Sequence, residues 1–227
     1  MQARHVEYSA IMSADDNLSK PTDRLLDLAL QAASRARGIS MQRVVERMWR
    51  PPYYPEVWPG EHYKLLAGLI SVDQPKVVVE IGTSTGLSAL AMQSALPVGA
   101  RLYTFDLLSW GRFPDTCLRT GDFADGTLVQ IMGDVSDPRV MRQHVSLFQS
   151  AELIFVDGPK DGKFESDLME RFREIGLPQK PLLVLDDIRL WNMLAIWRNL
   201  RYPKLDVTSF GHWSGTGFVD WTDASEL

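Results

Sequence analysis

The stretch Val77-Val78-Val79-Glu80-Ile81-Gly82-Thr83-Ser84-Thr85-Gly86-Leu87-Ser88-Ala89-Leu90 decides how the fold is read. Its first five residues are β-branched apart from Glu80, as in a strand buried on both faces. Residues 87–95 then carry a helical pattern. Gly82 lets the chain leave the strand tightly and lets a ligand approach the backbone. Gly86 permits close helix–strand packing, and the helix N-terminus offers free N–H groups. Asp106 stands 20 residues after Gly86, in the next apolar run, Leu102–Leu107. A carboxylate at that strand end can accept both hydroxyls of a ribose, and ligands of open α/β sheets bind beyond the carboxyl ends of the strands.

Outward from this unit the same rhythm continues. Leu128–Met132, Leu153–Val156 and Leu182–Leu185 are further apolar runs, separated by helical patterns at Val140–Phe148, Phe164–Ile175 and Leu190–Leu200. Strands apolar throughout imply a parallel sheet covered by helices. Residues 109–126, rich in Gly, Asp and Thr, read as loop. Leu205–Phe210 and Phe218–Trp221 flank a glycine-containing connection too short for a crossover, so they are expected to pair antiparallel. The expectation is five parallel strands plus a terminal hairpin. Upstream, Thr22 can cap a helix to Ala36, with Leu25, Leu26, Ala29, Leu30 and Ala33 as its inner stripe. Ser40 can cap a second helix to Arg50, stopped by Pro51 and Pro52. The proline-rich segment 51–60 reads as a rigid loop, and a third helix is expected over residues 61–71. The division expected is a loose arm (1–20), a helical cap (21–75) and an α/β domain (76–227).

Composition narrows the classes. With 24 basic and 29 acidic residues the net charge is −5, which argues against a nucleic-acid partner. Hydrophobic residues at 45% and charged ones at 23% are those of an ordinary folded domain. The single cysteine, Cys117, excludes an internal disulfide. No run of about 18 apolar residues exists to span a membrane. The first 20 residues lack the apolar core of a signal peptide, so a cytoplasmic location is expected.

Two nucleotide cofactors use a strand–glycine turn–helix. The dinucleotide fingerprint needs glycines at the first, third and sixth positions; from Gly82 these are Gly82, Ser84 and Leu87. The adenosylmethionine pattern needs an acid, a glycine two residues on and a glycine four later, which Glu80, Gly82 and Gly86 supply. A strand–turn–helix without a ligand also remains open at this point. Residues 80–90 resemble the first motif of class I S-adenosylmethionine-dependent methyltransferases. They are most similar to the cation-dependent O-methyltransferases of the catechol and caffeoyl-CoA type, and also to cephalosporin-hydroxylase-like methyltransferases. The likeness extends over residues 77–221 and is loose before them. It implies a Rossmann-like sheet of seven strands in the order 3-2-1-4-5-7-6, with strand 7 antiparallel and helices on both faces. It implies that Glu80, Gly82, Thr83, Ser84, Gly86 and Ser88 surround the methionine part of the cofactor. Asp106 would hold the ribose, Asp134 would lie near the adenine, and Asp157 would border the cofactor.

The fourth strand ends at Asp157 and the fifth at Asp186-Asp187. If these strands are neighbours, three carboxylates meet at the cofactor's end of the sheet. They repel unless a cation sits among them, and oxygen ligands suit Mg²⁺, Mn²⁺ or Ca²⁺. In the cation-dependent family the three positions are Asp, Asp and Asn, so Asp187 departs from the pattern. The resemblance makes Lys160 the catalytic base beside Asp157, with His212 next in line. Tyr53, Tyr54, Trp58, Trp110, Trp191 and Trp213 are candidate walls for an acceptor. The reading is methyl transfer from S-adenosylmethionine to a hydroxyl of a small molecule, assisted by a divalent metal. A metal-independent transferase, a nicotinamide oxidoreductase and a non-catalytic nucleoside-binding module are the alternatives, and a homo-oligomer stays open.

Overall fold

A computed structural model describes residues 20–221 of the 227-residue chain, so the expected arm at 1–20 lies outside the described residues but for Lys20. Three helices come first: α1 (Asp23–Ala36), α2 (Gln42–Val45) and α3 (Tyr63–Asp73). Thr22 caps α1 as expected, its hydroxyl accepting the Leu25 N–H at 3.2 Å. The inner stripe is rotated from the one expected. Leu25, Leu28, Ala29, Ala32, Ala33 and Ala36 are buried, whereas Leu26 and Leu30 are 40% and 63% exposed. Small alanines on the inner face let α3 come close: a Cβ on its Gly68 would stand 2.5 Å from the Ala32 carbonyl oxygen.

The helix expected over Ser40–Arg50 is a single turn, α2. Ser40 Oγ does accept the Gln42 N–H, at 3.2 Å. Beyond α2 the Arg47 guanidinium reaches Asp122 at 2.7 Å, and a four-residue helix has little of its own to resist such ties. The loop that follows holds one 3-10 turn, Tyr54–Glu56. It returns Glu56 to α2, where its carboxylate accepts the Met41 N–H.

The remainder alternates strand and helix: β1 (Val77–Ile81), α4 (Leu87–Gln93), β2 (Arg101–Asp106), β3 (Leu128–Met132), α5 (Pro138–Gln143), α6 (Val145–Ser150), β4 (Leu153–Val156), α7 (Lys163–Ile175), β5 (Leu182–Asp186), α8 (Trp191–Asn199), β6 (Lys204–Asp206) and β7 (Thr216–Asp220). The sheet order is β3-β2-β1-β4-β5-β7-β6, with β7 antiparallel to both its neighbours. β1 is flanked in parallel by β2 (Val78 opposite Leu102) and by β4 (Val78 opposite Leu153). Side chains alternate across the sheet. Val78, Phe155, Val184 and Phe218 pack under α1, α3 and α4. Val79, Ile81, Ile154, Val156, Leu183 and Val219 pack under Phe148, Leu168 and Phe172 of the opposite layer.

Two other expectations shift. The helix expected over Val140–Phe148 is α5 and α6, broken at His144 (φ −118°, ψ 13°). The strand expected to reach Phe210 stops at Asp206, whose carboxylate accepts the Thr208 N–H at 2.9 Å and turns the chain. Residues 109–126 hold only two 3-10 turns, as their composition implies. No helix of the described residues is long and apolar enough to cross a membrane.

Candidate active site

Because β1 leads on to β2 on one side and β4 leads on to β5 on the other, the connections leaving β1 and β4 diverge and open a crevice at the strands' carboxyl ends. Gly82 opens the turn there with φ +107°; a Cβ on it would lie 2.1 Å from the Asp157 carbonyl oxygen. Neither the dihedral nor the space admits a side chain. Ser84 (φ +45°) donates its N–H to Asp106 Oδ2 at 2.8 Å, and Leu108 donates its N–H to Oδ1 at 3.0 Å. Asp106 is thereby aimed and keeps a lone pair on each oxygen. Asp134 accepts from the Ser136 N–H (2.9 Å) and hydroxyl (2.6 Å). Gly82, Ser84, Asp106, Asp134 and Asp157 line one cavity of about 730 Å³, which Phe113 also borders.

Three of the residues expected around a methionine moiety stand behind this wall. Thr83 and Thr104 share a hydrogen bond of 2.7 Å between their hydroxyls. Ser88 donates to Glu80 Oε1 at 2.5 Å, while Oε2 has no partner, although Glu80 is completely buried. Burial pushes the Glu80 carboxyl up to about 7, against the hydrogen bonds from Ser88 and Thr104. The fold thus favours the neutral acid, and its stability should fall as pH rises from about 4.5 to about 7, by about 3 kcal/mol in all. Glu80→Gln is neutral at every pH. Denaturant unfolding should therefore show the parent losing stability relative to this variant across that interval. A constant difference would mean that Glu80 keeps an ordinary carboxyl pKa.

The second group of residues is centred on Asp186. Asp157, Asp186 and Asp187 offer oxygens within 4.8 Å of one another. Lys160 places its ammonium among them: Nζ contacts Asp157 Oδ1 directly and lies 3.1 Å from Asp187 and 4.0 Å from Asp186. Burial opposes the lysine's charge, but the three carboxylates outweigh it and hold the pKa above the usual lysine range. His212 was weighed from sequence only as a reserve base, yet its Nδ1 lies 3.2 Å from Asp186 Oδ1, 3.3 Å from Asp187 Oδ1 and 2.9 Å from Ser214 Oγ. Burial opposes its charge as well, and the carboxylates of Asp186 and Asp187 raise its pKa to about 10. Asp186, facing these cations, is held well below the usual carboxylate range.

Glu61, expected only as the start of the third helix, and His62, which carries no sequence pattern, also belong to this group. His62 Nδ1 lies 3.3 Å from Asp186 Oδ1, and Glu61 Oε2 lies 3.7 Å from His212 Nε2. Nothing local marks them, because the contact is made across the chain. Gly60 donates to Gly211 O at 3.2 Å and accepts the Trp213 N–H at 2.9 Å, and Trp58 Nε1 donates to Phe210 O at 2.7 Å. This bridge seats the end of the cap loop against the β6–β7 connection. Of the aromatic candidates, Trp191 and Trp213 are about 70% exposed, while Trp110 stacks on Phe123.

No family model matches the sequence, and neither does any curated protein. Solved structures do match the fold. A methyltransferase from Podospora anserina, bound to S-adenosylhomocysteine, aligns over 87% of this chain and 88% of its own at 16% identity, with a TM-score of 0.54. A proposed caffeoyl-CoA O-methyltransferase from Staphylococcus aureus aligns over 85% and 98% at 16% identity, also with a TM-score of 0.54. A methyltransferase from Geobacter sulfurreducens aligns over 90% and 93% at 16% identity, with a TM-score of 0.51. With its strand order and its single antiparallel strand β7, the chain has the Rossmann-like fold of the class I S-adenosylmethionine-dependent methyltransferases.

Proposed function

We propose that the chain transfers a methyl group from S-adenosylmethionine to a hydroxyl of a small molecule. The observation that carries this reading is the placement of Asp157: it lines the cavity that contains Asp106 and also belongs to the carboxylate cluster. A cofactor site and an acceptor site would then meet at one residue. The cavity suits the cofactor: Asp106 presents two aimed acceptors to a ribose, and Gly82 and Asp134 lie along the same wall. When bound, the cofactor supplies an electrophilic methyl group on a sulfonium centre.

Asp157, Asp186 and Asp187 would hold the divalent cation, Mg²⁺ by their oxygen chemistry, which would orient the acceptor and acidify its hydroxyl. Lys160, an ammonium in contact with Asp157, could take the acceptor proton at Nζ only after a bound cation had driven off its own proton. The two elements then hold the reactants in line, and such positioning supplies much of the rate. A metal-independent transferase is the second reading, favoured by one observation: the Lys160 ammonium already stands among the three carboxylates. Chelation separates the two. Methyl transfer to a catechol or sugar diol should be lost in EDTA and restored by an added divalent cation. Full activity after exhaustive chelation would leave the metal-independent reading.

A further inference from the structure

Three nitrogen-bearing side chains, Lys160, His62 and His212, surround Asp186. Oδ2 faces Lys160, at 4.0 Å, on the side where the ammonium meets the other two carboxylates. Oδ1 faces the nitrogens of His62, at 3.3 Å, and His212, at 3.2 Å, and His212 Nδ1 also lies 3.3 Å from Oδ2. The three donor atoms of His62, Asp186 and His212 lie within 4.8 Å of one another. Donors held 2.0–2.1 Å from a tetrahedral ion are about 3.4 Å apart, so the two nitrogen–oxygen separations already fit one coordination sphere.

His62 carries the argument. It is 3% exposed, and neither ring nitrogen has a hydrogen-bond partner, although Nδ1 lies 3.3 Å from Asp186 Oδ1. A buried imidazole without hydrogen bonds is costly unless another partner satisfies it. Its ring is set by packing on Tyr63 (centroids 4.5 Å apart) and Phe155 (5.3 Å), and edge-on to His212 (5.2 Å). Behind His212, Glu61 lies 3.7 Å from Nε2, the place where a carboxylate fixes a histidine whose other nitrogen binds metal.

We propose that His62, Asp186 and His212 form a site for a first-row transition-metal dication of the zinc type. Two imidazoles and a carboxylate select such an ion over Mg²⁺, which favours an all-oxygen set. The inference keeps a cation at Asp186, as the proposed reaction does, but changes its donors and its identity.

The test uses the metal-stripped full-length chain with no cofactor or acceptor, titrated separately with Co²⁺, Zn²⁺ and Mg²⁺. One Co²⁺ should bind with the strong visible absorption of a low-symmetry nitrogen–oxygen site, Zn²⁺ should displace it, and Mg²⁺ at the same concentration should not. His62→Gln and His212→Gln should each weaken Co²⁺ binding at least tenfold, and Glu61→Gln by about 10–100-fold. Circular dichroism checks the fold of each variant. His212, in a partly exposed loop, keeps the test decisive if the buried His62 cannot be replaced. Equal preference for Mg²⁺ and Zn²⁺, or an unchanged Co²⁺ spectrum in His212→Gln, overturns the inference and leaves the histidines as ion-pair partners of Asp186. Titration with S-adenosylhomocysteine is run apart. A chain that binds it but prefers Mg²⁺ overturns this inference alone. A chain that binds Co²⁺ through the histidines but not S-adenosylhomocysteine overturns the methyl-transfer reading alone.

Discussion

Replacing Lys160 by methionine is expected to lower methyl-transfer turnover by about 10²–10⁴-fold, the usual loss when a positioned base is removed. Binding of S-adenosylhomocysteine should stay near normal, because Lys160 is absent from the lining of the cavity and turns toward the carboxylates. The variant also leaves Asp157, Asp186 and Asp187 without their ammonium. A buried charge stripped of its partner typically costs about 3–5 kcal/mol, so the metal-free variant should melt well below the parent. Added divalent cation should restore part of that loss, since it supplies the missing charge. Raising the pH should not restore turnover. Near-parental turnover across the neutral range would remove Lys160 from the chemistry.

Asp106→Ala should weaken S-adenosylhomocysteine binding by about 10²–10⁴-fold in calorimetry. Two charge-assisted hydrogen bonds to a ribose, each about 1.5–3 kcal/mol, set that range. The carboxylate also ties down the Ser84 and Leu108 amides, so alanine loosens the turn as well as removing the acceptors. Asp106→Asn is the companion variant: it keeps an acceptor oxygen and removes the charge, and should fall between the two. An alanine variant that titrates like the parent would show that Asp106 does not hold the ribose.

The sheet was legible in the sequence because its central strands β1, β4 and β5 are buried on both faces and read as near-continuous apolar runs. The glycine turn was legible for a steric reason, since Gly82 sits where no side chain fits. The helices were less so. The inner face of α1 is set by its alanines' approach to α3, not by its largest apolar residues, and α2 ends after a single turn at Val45. The carboxylate cluster followed from strand ends alone. Its histidine half did not, because His62 carries no local pattern and gains its meaning only from docking beside Asp186. Glu80 was read as a ligand-facing acid, whereas its side chain lies behind the cavity wall with one oxygen unpartnered.

The bridge between Gly60 and His212 joins parts of the chain that lie very far apart; its Trp58–Phe210 bond spans 152 residues. Closing so long a loop costs configurational entropy that no early, local contact offsets. Such contacts belong to the late stages of folding, after helices and neighbouring strands have formed. The parallel core of β1, β2 and β4 can therefore be in place while His62 and His212 are still apart. Refolding followed by tryptophan fluorescence should then show competence to bind Co²⁺ appearing as a late phase, behind the recovery of secondary structure.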